Sequence, residues 1–116
     1  MIRRKGQYKR ETKEKMRGGE GVVHIERFWE SEKELKAKNR LFAKLIIPKG
    51  SGIGFHQHDN EEEVFIVISG VAQADDNGQI VTLYPGDTIL TGGGAGHAIK
   101  SVGDEDLELI AVINCY

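Results

Sequence analysis

The chain is poor in several residue types, and each shortage excludes something. Cys115 is the single cysteine among 116 residues, so no internal disulfide can form. Its place near the C-terminus reads as a small strand residue rather than a nucleophile. Proline occurs only at Pro48 and Pro85, and aromatic residues make up 7% of the chain. No apolar run exceeds five residues, as in Val64–Ile68, far short of a bilayer span. The opening "MIRRKGQYKR" has the charge of a signal peptide without an apolar stretch behind it, and a cytoplasmic protein is expected. There are no internal repeats, and "MRGGEG" lacks the lysine and Ser/Thr of a phosphate-binding loop.

Charge is balanced overall and lopsided locally. Residues 1–17 hold eight Lys or Arg against two Glu, a net of +6; the remainder holds eight basic and sixteen acidic residues, a net of −8. Neither an aromatic stacking platform nor a recognition helix accompanies this basic segment, which argues against nucleic acid as a partner. The expectation is an irregular basic arm over 1–21, paired with the acidic body or a second subunit, and one folded domain over 22–116.

From Val22 onward the sequence consists of short strand-like runs separated by turn signals. "VVHIERFW" is followed by a polar stretch expected to hold one helical turn around Glu32 to Ala37. "LFAKLII" ends at Pro48-Lys49-Gly50, and "VFIVISGVAQA" ends at Asn77-Gly78, a strong two-residue hairpin signal. "QIVTLY" ends at Pro85-Gly86, and three further runs reach the C-terminus. Eight or nine strands with almost no helix predict an all-β sandwich or closed barrel.

Histidine is also scarce, and three of the four lie in a pattern. Residues i and i+2 of a strand share a face, so "HQH" projects His56 and His58 together. Imidazole nitrogen suits borderline divalent metals, and a carboxylate adds both charge and an oxygen ligand. Glu63, in register with Phe65 and Val67, is the expected carboxylate, with Glu61 and Glu62 taking the turn. His97, at the start of a later strand, is the fourth candidate, expected to close the site from across the barrel. His24 and the Tyr84–Asp87 turn carry no chemistry on this reading, and Phe65, Val67 and Ile99 are expected to line the barrel.

These residues resemble the two motifs of the cupin superfamily. The first is matched by Gly50, His56, His58, Glu63 and Gly70, the second by Gly86, Gly94 and His97. Gly92 stands where proline is usual, and Ser101 where asparagine is usual. The resemblance implies a double-stranded β-helix (jelly-roll) barrel with a metal bound by His56, His58, Glu63 and His97. The pattern is most similar to small oxalate-decarboxylase-like cupins, which implies manganese; the ligand types also permit iron, nickel, zinc, cobalt or copper. Three neutral imidazoles and one carboxylate leave a divalent ion at about +1 with open positions, suited to a small anionic ligand.

The expected activity is that of a metalloenzyme acting on a small carboxylate or other oxygen-rich metabolite by decarboxylation, oxygenation or isomerisation. The alternative is a non-catalytic binding or sensing cupin. Decarboxylases of this type place arginine where this chain has Ile53, and no acidic lid residue is recognisable here. Arg40 or Lys44 could substitute for the arginine, although both also read as solvent-facing strand charges. Sugar-nucleotide epimerases share the fold but use a histidine–aspartate pair instead of this ligand set. The resemblance further implies a homodimer.

Overall fold

The computed structural model describes residues 1–116 as ten strands and one short 3₁₀ turn. In chain order the strands are β1 (Lys9–Glu14), β2 (Val22–Arg27), β3 (Asn39–Ile47), β4 (Gly52–Gln57), β5 (Glu61–Ser69), β6 (Ala72–Asp76), β7 (Gln79–Leu83), β8 (Thr88–Gly92), β9 (Gly96–Ser101) and β10 (Leu107–Cys115). They form a six-stranded sheet in the order β1-β2-β3-β10-β5-β8 and a four-stranded sheet in the order β4-β9-β6-β7. Every pairing between these strands is antiparallel. No helix is long and apolar enough to cross a membrane.

Side-chain alternation builds the core. Ala43, Leu45 and Ile47 of β3, Phe65 and Val67 of β5, and Leu107, Leu109 and Ala111 of β10 point inward and are buried. Ile53, Ala72, Ala74 and Ile99 meet them from the four-stranded sheet. Phe65, Val67 and Ile99 therefore line the barrel as expected. The turn signals act as predicted. Asn77 and Gly78 have φ of 51° and 100° and join β6 to β7 in the left-handed geometry that a two-residue hairpin requires. Pro85 and Gly86 close a turn in which the Asp87 amide donates to the Tyr84 carbonyl at 2.9 Å.

Two local expectations do not hold. The polar stretch after β2 contains no helix: the amides of Glu34 and Leu35 both donate to the Glu30 carbonyl, while Glu32 takes a left-handed φ of 69°. One residue in that conformation stops helical hydrogen bonding from propagating. The basic arm is not irregular either. Residues 9–14 form β1, which adds to the sheet beside β2 and raises the strand count to ten. Charge pairing between the basic segment and the acidic residues that follow it explains this. Arg10 meets Glu26 at 3.2 Å, Arg27 meets Glu11 at 2.5 Å, and Arg3 binds Glu34 through two nitrogens. The basic segment thus pairs with the acidic body, as its charge suggested.

Candidate metal centre

His56 lies on β4, and its Cα partner across the ladder is His97 on β9. His58 follows one residue beyond the end of β4, on the same face as His56. The register of β4 against β9 shifts between Ile53 and His56, the mark of a β-bulge. The bulge lets Ile53 and His56 both reach the interior despite their odd spacing; Ile53 is 4% exposed. Glu63 comes from β5 in the opposite sheet. The carboxylate, and not His97, is therefore the group that closes the site from across the barrel, because His97 sits beside His56 on the neighbouring strand.

The four candidate ligand atoms lie within 4.8 Å of one another. His58 Nε2 and His97 Nε2 are each 3.0 Å from Glu63 Oε1 and 3.1 Å from each other. Each imidazole is oriented through its other nitrogen. His56 Nδ1 lies 2.8 Å from the Gly54 carbonyl, His58 Nδ1 is 2.5 Å from Glu61 Oε2, and His97 Nδ1 is 2.9 Å from Thr91 Oγ1. With a metal bound, Nδ1 donation in each ring would turn all three Nε2 lone pairs toward the common centre. This is the arrangement by which outer partners fix a metal-binding tautomer. The His97 ring also stacks on Phe65, with centroids 4.8 Å apart and an interplanar angle of 11°. His58, Glu63 and His97 are buried, and His56 is half-buried. The donor set fits a borderline divalent ion.

Glu61 belongs to β5 and not to the turn expected there. Arg40 grips it through Nε and Nη2 at 2.9 and 2.8 Å. That grip, helped by His58, holds the Glu61 carboxyl down at about 2. Sequence reasoning missed this positioning role, although Glu61 lies three residues after His58. Gly92, standing where proline is usual, has a local reason. A Cβ at this position would lie 2.6 Å from the Cβ of Glu62. Lys44 stays on the outer face, paired with Glu26 and Glu108, and takes no part in the site.

Charge within the cluster is coupled to pH. The hydrogen bond to Glu63, reinforced by Glu61, outweighs burial and raises the pKa of His58. Burial lowers that of His56. Burial would push the Glu63 carboxyl upward, but hydrogen bonds from His58 and His97 prevail and hold it below its ordinary value. Without metal, the His58 contribution to stability is full below its unfolded pKa of 6.5 and fades as pH rises through its raised value. The Glu63 contribution is present above 4.5 and fades as pH falls through its depressed value. Metal binding has the opposite demand on His58, which must be neutral. Metal affinity is expected to fall at least about tenfold per pH unit once His58 is protonated, because a proton must be displaced. Competition with a chromophoric chelator between about pH 5 and 8 measures this, and a flat profile would contradict it.

A cavity of about 100 Å³ opens beside the cluster, lined by His56, His58 and Glu63. Ile25, Leu41, Leu45, Ile53 and Ile113 give it apolar walls. Its rim carries Lys13, Arg17, Arg27 and Arg40, and Glu63 is the one carboxylate in its lining. Arg40, a candidate from sequence, is therefore at the site, whereas Lys13, Arg17 and Arg27 were not foreseen. Nothing in their spacing pointed to the cavity, because β1 and the 3₁₀ turn (Met16–Gly18) reach it only through tertiary folding. The position of the decarboxylase arginine faces the same space and holds apolar Ile53.

Comparison with known proteins agrees with this architecture. Residues 43–113 match the Cupin domain family. A protein of Thermotoga maritima named oxalate-binding protein is 36% identical over 113 residues, covering 97% of this chain and 93% of that protein. A crystal structure from Thermotoga maritima, of a protein described as a predicted oxalate decarboxylase, superposes with a TM-score of 0.94 at 35% identity over 100% of both chains. The Cnp3 cupin domain of Schizosaccharomyces pombe shares the fold, with a TM-score of 0.71 at 13% identity, covering 81% of this chain and 65% of that one. Matched along most of its length, and with two jelly-roll sheets meeting at a three-histidine, one-glutamate cluster, the chain belongs to the cupin family.

Proposed function

We propose that His56, His58, Glu63 and His97 hold a divalent metal, manganese first, and that a small oxygen-rich anion of the oxalate class binds on it. The observation that carries this reading is the small cavity beside the cluster, apolar in its walls and ringed by four cations. Its size suits a ligand far smaller than the occupants of ordinary drug-sized pockets. The relative named oxalate-binding protein supports the same ligand class. A four-ligand octahedral ion would supply open positions, Lewis acidity and a lowered pKa for bound water.

Binding is preferred over turnover because of what faces the cavity. Beyond the four ligands, its walls offer apolar groups and Lys and Arg side chains, with no second carboxylic acid to pass a proton. Turnover by decarboxylation, oxygenation or isomerisation is the second reading, favoured by the open metal positions. The test is elemental analysis of untagged protein, followed by calorimetric titration of the metal-loaded chain with oxalate. About one manganese per chain and saturable, metal-dependent oxalate binding are expected. Protein that binds oxalate equally well after metal removal would overturn the reading. Release of carbon dioxide or formate from oxalate, or uptake of oxygen, would favour the catalytic alternative.

We also propose a homodimer through the outer face of the six-stranded sheet. Ile66 and Ile68 on β5 and Leu90 on β8 project from that face, Leu90 with 63% exposure. Exposed apolar side chains gathered on adjacent strands mark an interaction surface. Light scattering is expected to give twice the chain mass, and Leu90→Glu to shift it to the monomer. Monomeric parent protein at micromolar concentration would refute the dimer.

A further inference from the structure

We propose that the N-terminal strap of β1 and the 3₁₀ turn is part of the ligand site, and that Lys13 and Arg17 select ligands carrying two negative charges. This rests on the anion-binding function proposed above. Of the four cations at the cavity, Arg27 is neutralised by Glu11 and Arg40 by Glu61. Lys13 and Arg17 line the same cavity and have no carboxylate within ion-pair distance. They are the charges left over for a ligand.

The main chain of the strap is held against β4, which brings the exposed Lys13 and Arg17 to the mouth of the cavity. Met16, between them, packs against the hydrophobic core. A Cβ at Gly54 would collide with the Arg17 carbonyl, and one at Gly19 with the Gly52 carbonyl, so the strap lies directly on β4. The Gly52 amide donates to the Glu20 carbonyl at 2.9 Å and secures that contact. β4 is also the strand that carries His56. Lys15 and Arg17 adopt left-handed φ of 48° and 53°, a conformation that costs energy outside glycine and persists where surroundings impose it.

Charge balance then sets the ligand class. A metal held by three neutral imidazoles and Glu63 retains about +1, which a monoanion satisfies. A dianion places a second charge at the rim, where two unpaired cations await it. The cavity limits such a ligand to a few heavy atoms, as in a short dicarboxylate.

The test compares oxalate with glycolate, a monoanion of similar size, by calorimetry on the metal-loaded full chain. The variants are Lys13→Gln and Arg17→Asn, because asparagine tolerates the left-handed backbone. Lys15→Gln, on the same strap but outside the cavity lining, is the control. Each cavity variant is expected to weaken oxalate binding about tenfold, the loss of one charge-assisted contact, and glycolate binding less than about twofold. Metal content and melting temperature should stay unchanged, and Arg17→Lys should recover most of the oxalate affinity. Equal losses for both acids would overturn charge selection. Unchanged affinity for both would overturn the strap's role and leave anion binding standing. A metal-loaded parent that binds neither acid would overturn both proposals.

Discussion

Replacing His58 with alanine is expected to reduce bound metal from about one ion per chain to near zero while the β-fold persists. His58 is 1% exposed and touches Glu61, Glu63 and His97 at once. Its removal deletes one ligand, frees the carboxylate that aimed it, and leaves Glu63 with His97 as its one histidine partner. Loss of an outer partner alone typically costs about 10–100-fold in metal affinity, and loss of a ligand itself costs more. The fold should survive because the core cluster built on Leu45, Phe65, Leu107 and Leu109 does not include His58. Elemental analysis and far-UV circular dichroism read the two halves of this outcome. Melting with and without added manganese gives a third readout, since a bound ion stabilises only the protein that binds it. Full metal occupancy in the variant would refute the ligand assignment, and a collapsed spectrum would show the site to be a folding nucleus instead.

Phe65→Ala is expected to have the largest effect on stability, about 3–5 kcal/mol. Phe65 is 1% exposed on β5, pairs across the sheet with Ala111 and Ile89, and stacks on His97. Small or β-branched neighbours of this kind leave the cavity poorly filled. The ring also holds His97 flat beneath the cluster, so metal affinity should fall with stability. Phe55→Ala offers a contrast, because Phe55 is 51% exposed. A substitution there should stay within about 0.5 kcal/mol. Urea unfolding of the metal-free variants separates the two positions, and similar midpoints for both would refute the packing argument.

The site was legible in sequence to the extent that local geometry carried it. His56 and His58 share a face because a strand has a two-residue period, and Glu63 shares a face with Phe65 and Val67 for the same reason. Turn residues such as Asn77-Gly78 and Pro85-Gly86 were equally readable, since each imposes its own backbone angles. Legibility ended where contacts join distant segments. Thr91 aims His97, and Glu61 aims His58 while held by Arg40; none of these roles follows from spacing alone. The bulge that turns both Ile53 and His56 inward was equally hidden, because it depends on the register against β9.

Residues 1–17 illustrate the division most clearly. Their net charge of +6 predicted that they would find acidic partners, and long-range electrostatics needs no more than composition for that. Which cations would be neutralised was decided by the pairing of β1 with β2 and by the close approach of the strap to β4. Sequence alone thus determined the all-β class, the turns and the shared faces of His56 with His58 and of Glu63 with Phe65, because these depend on periods of two to four residues. His97 joined the set through the resemblance to the second cupin motif. Tertiary structure decided that Glu63 faces the histidines from the opposite sheet and that Lys13 and Arg17 stand unpaired at the cavity. Those placements arise from packing between elements far apart in the chain, which local periodicity does not encode.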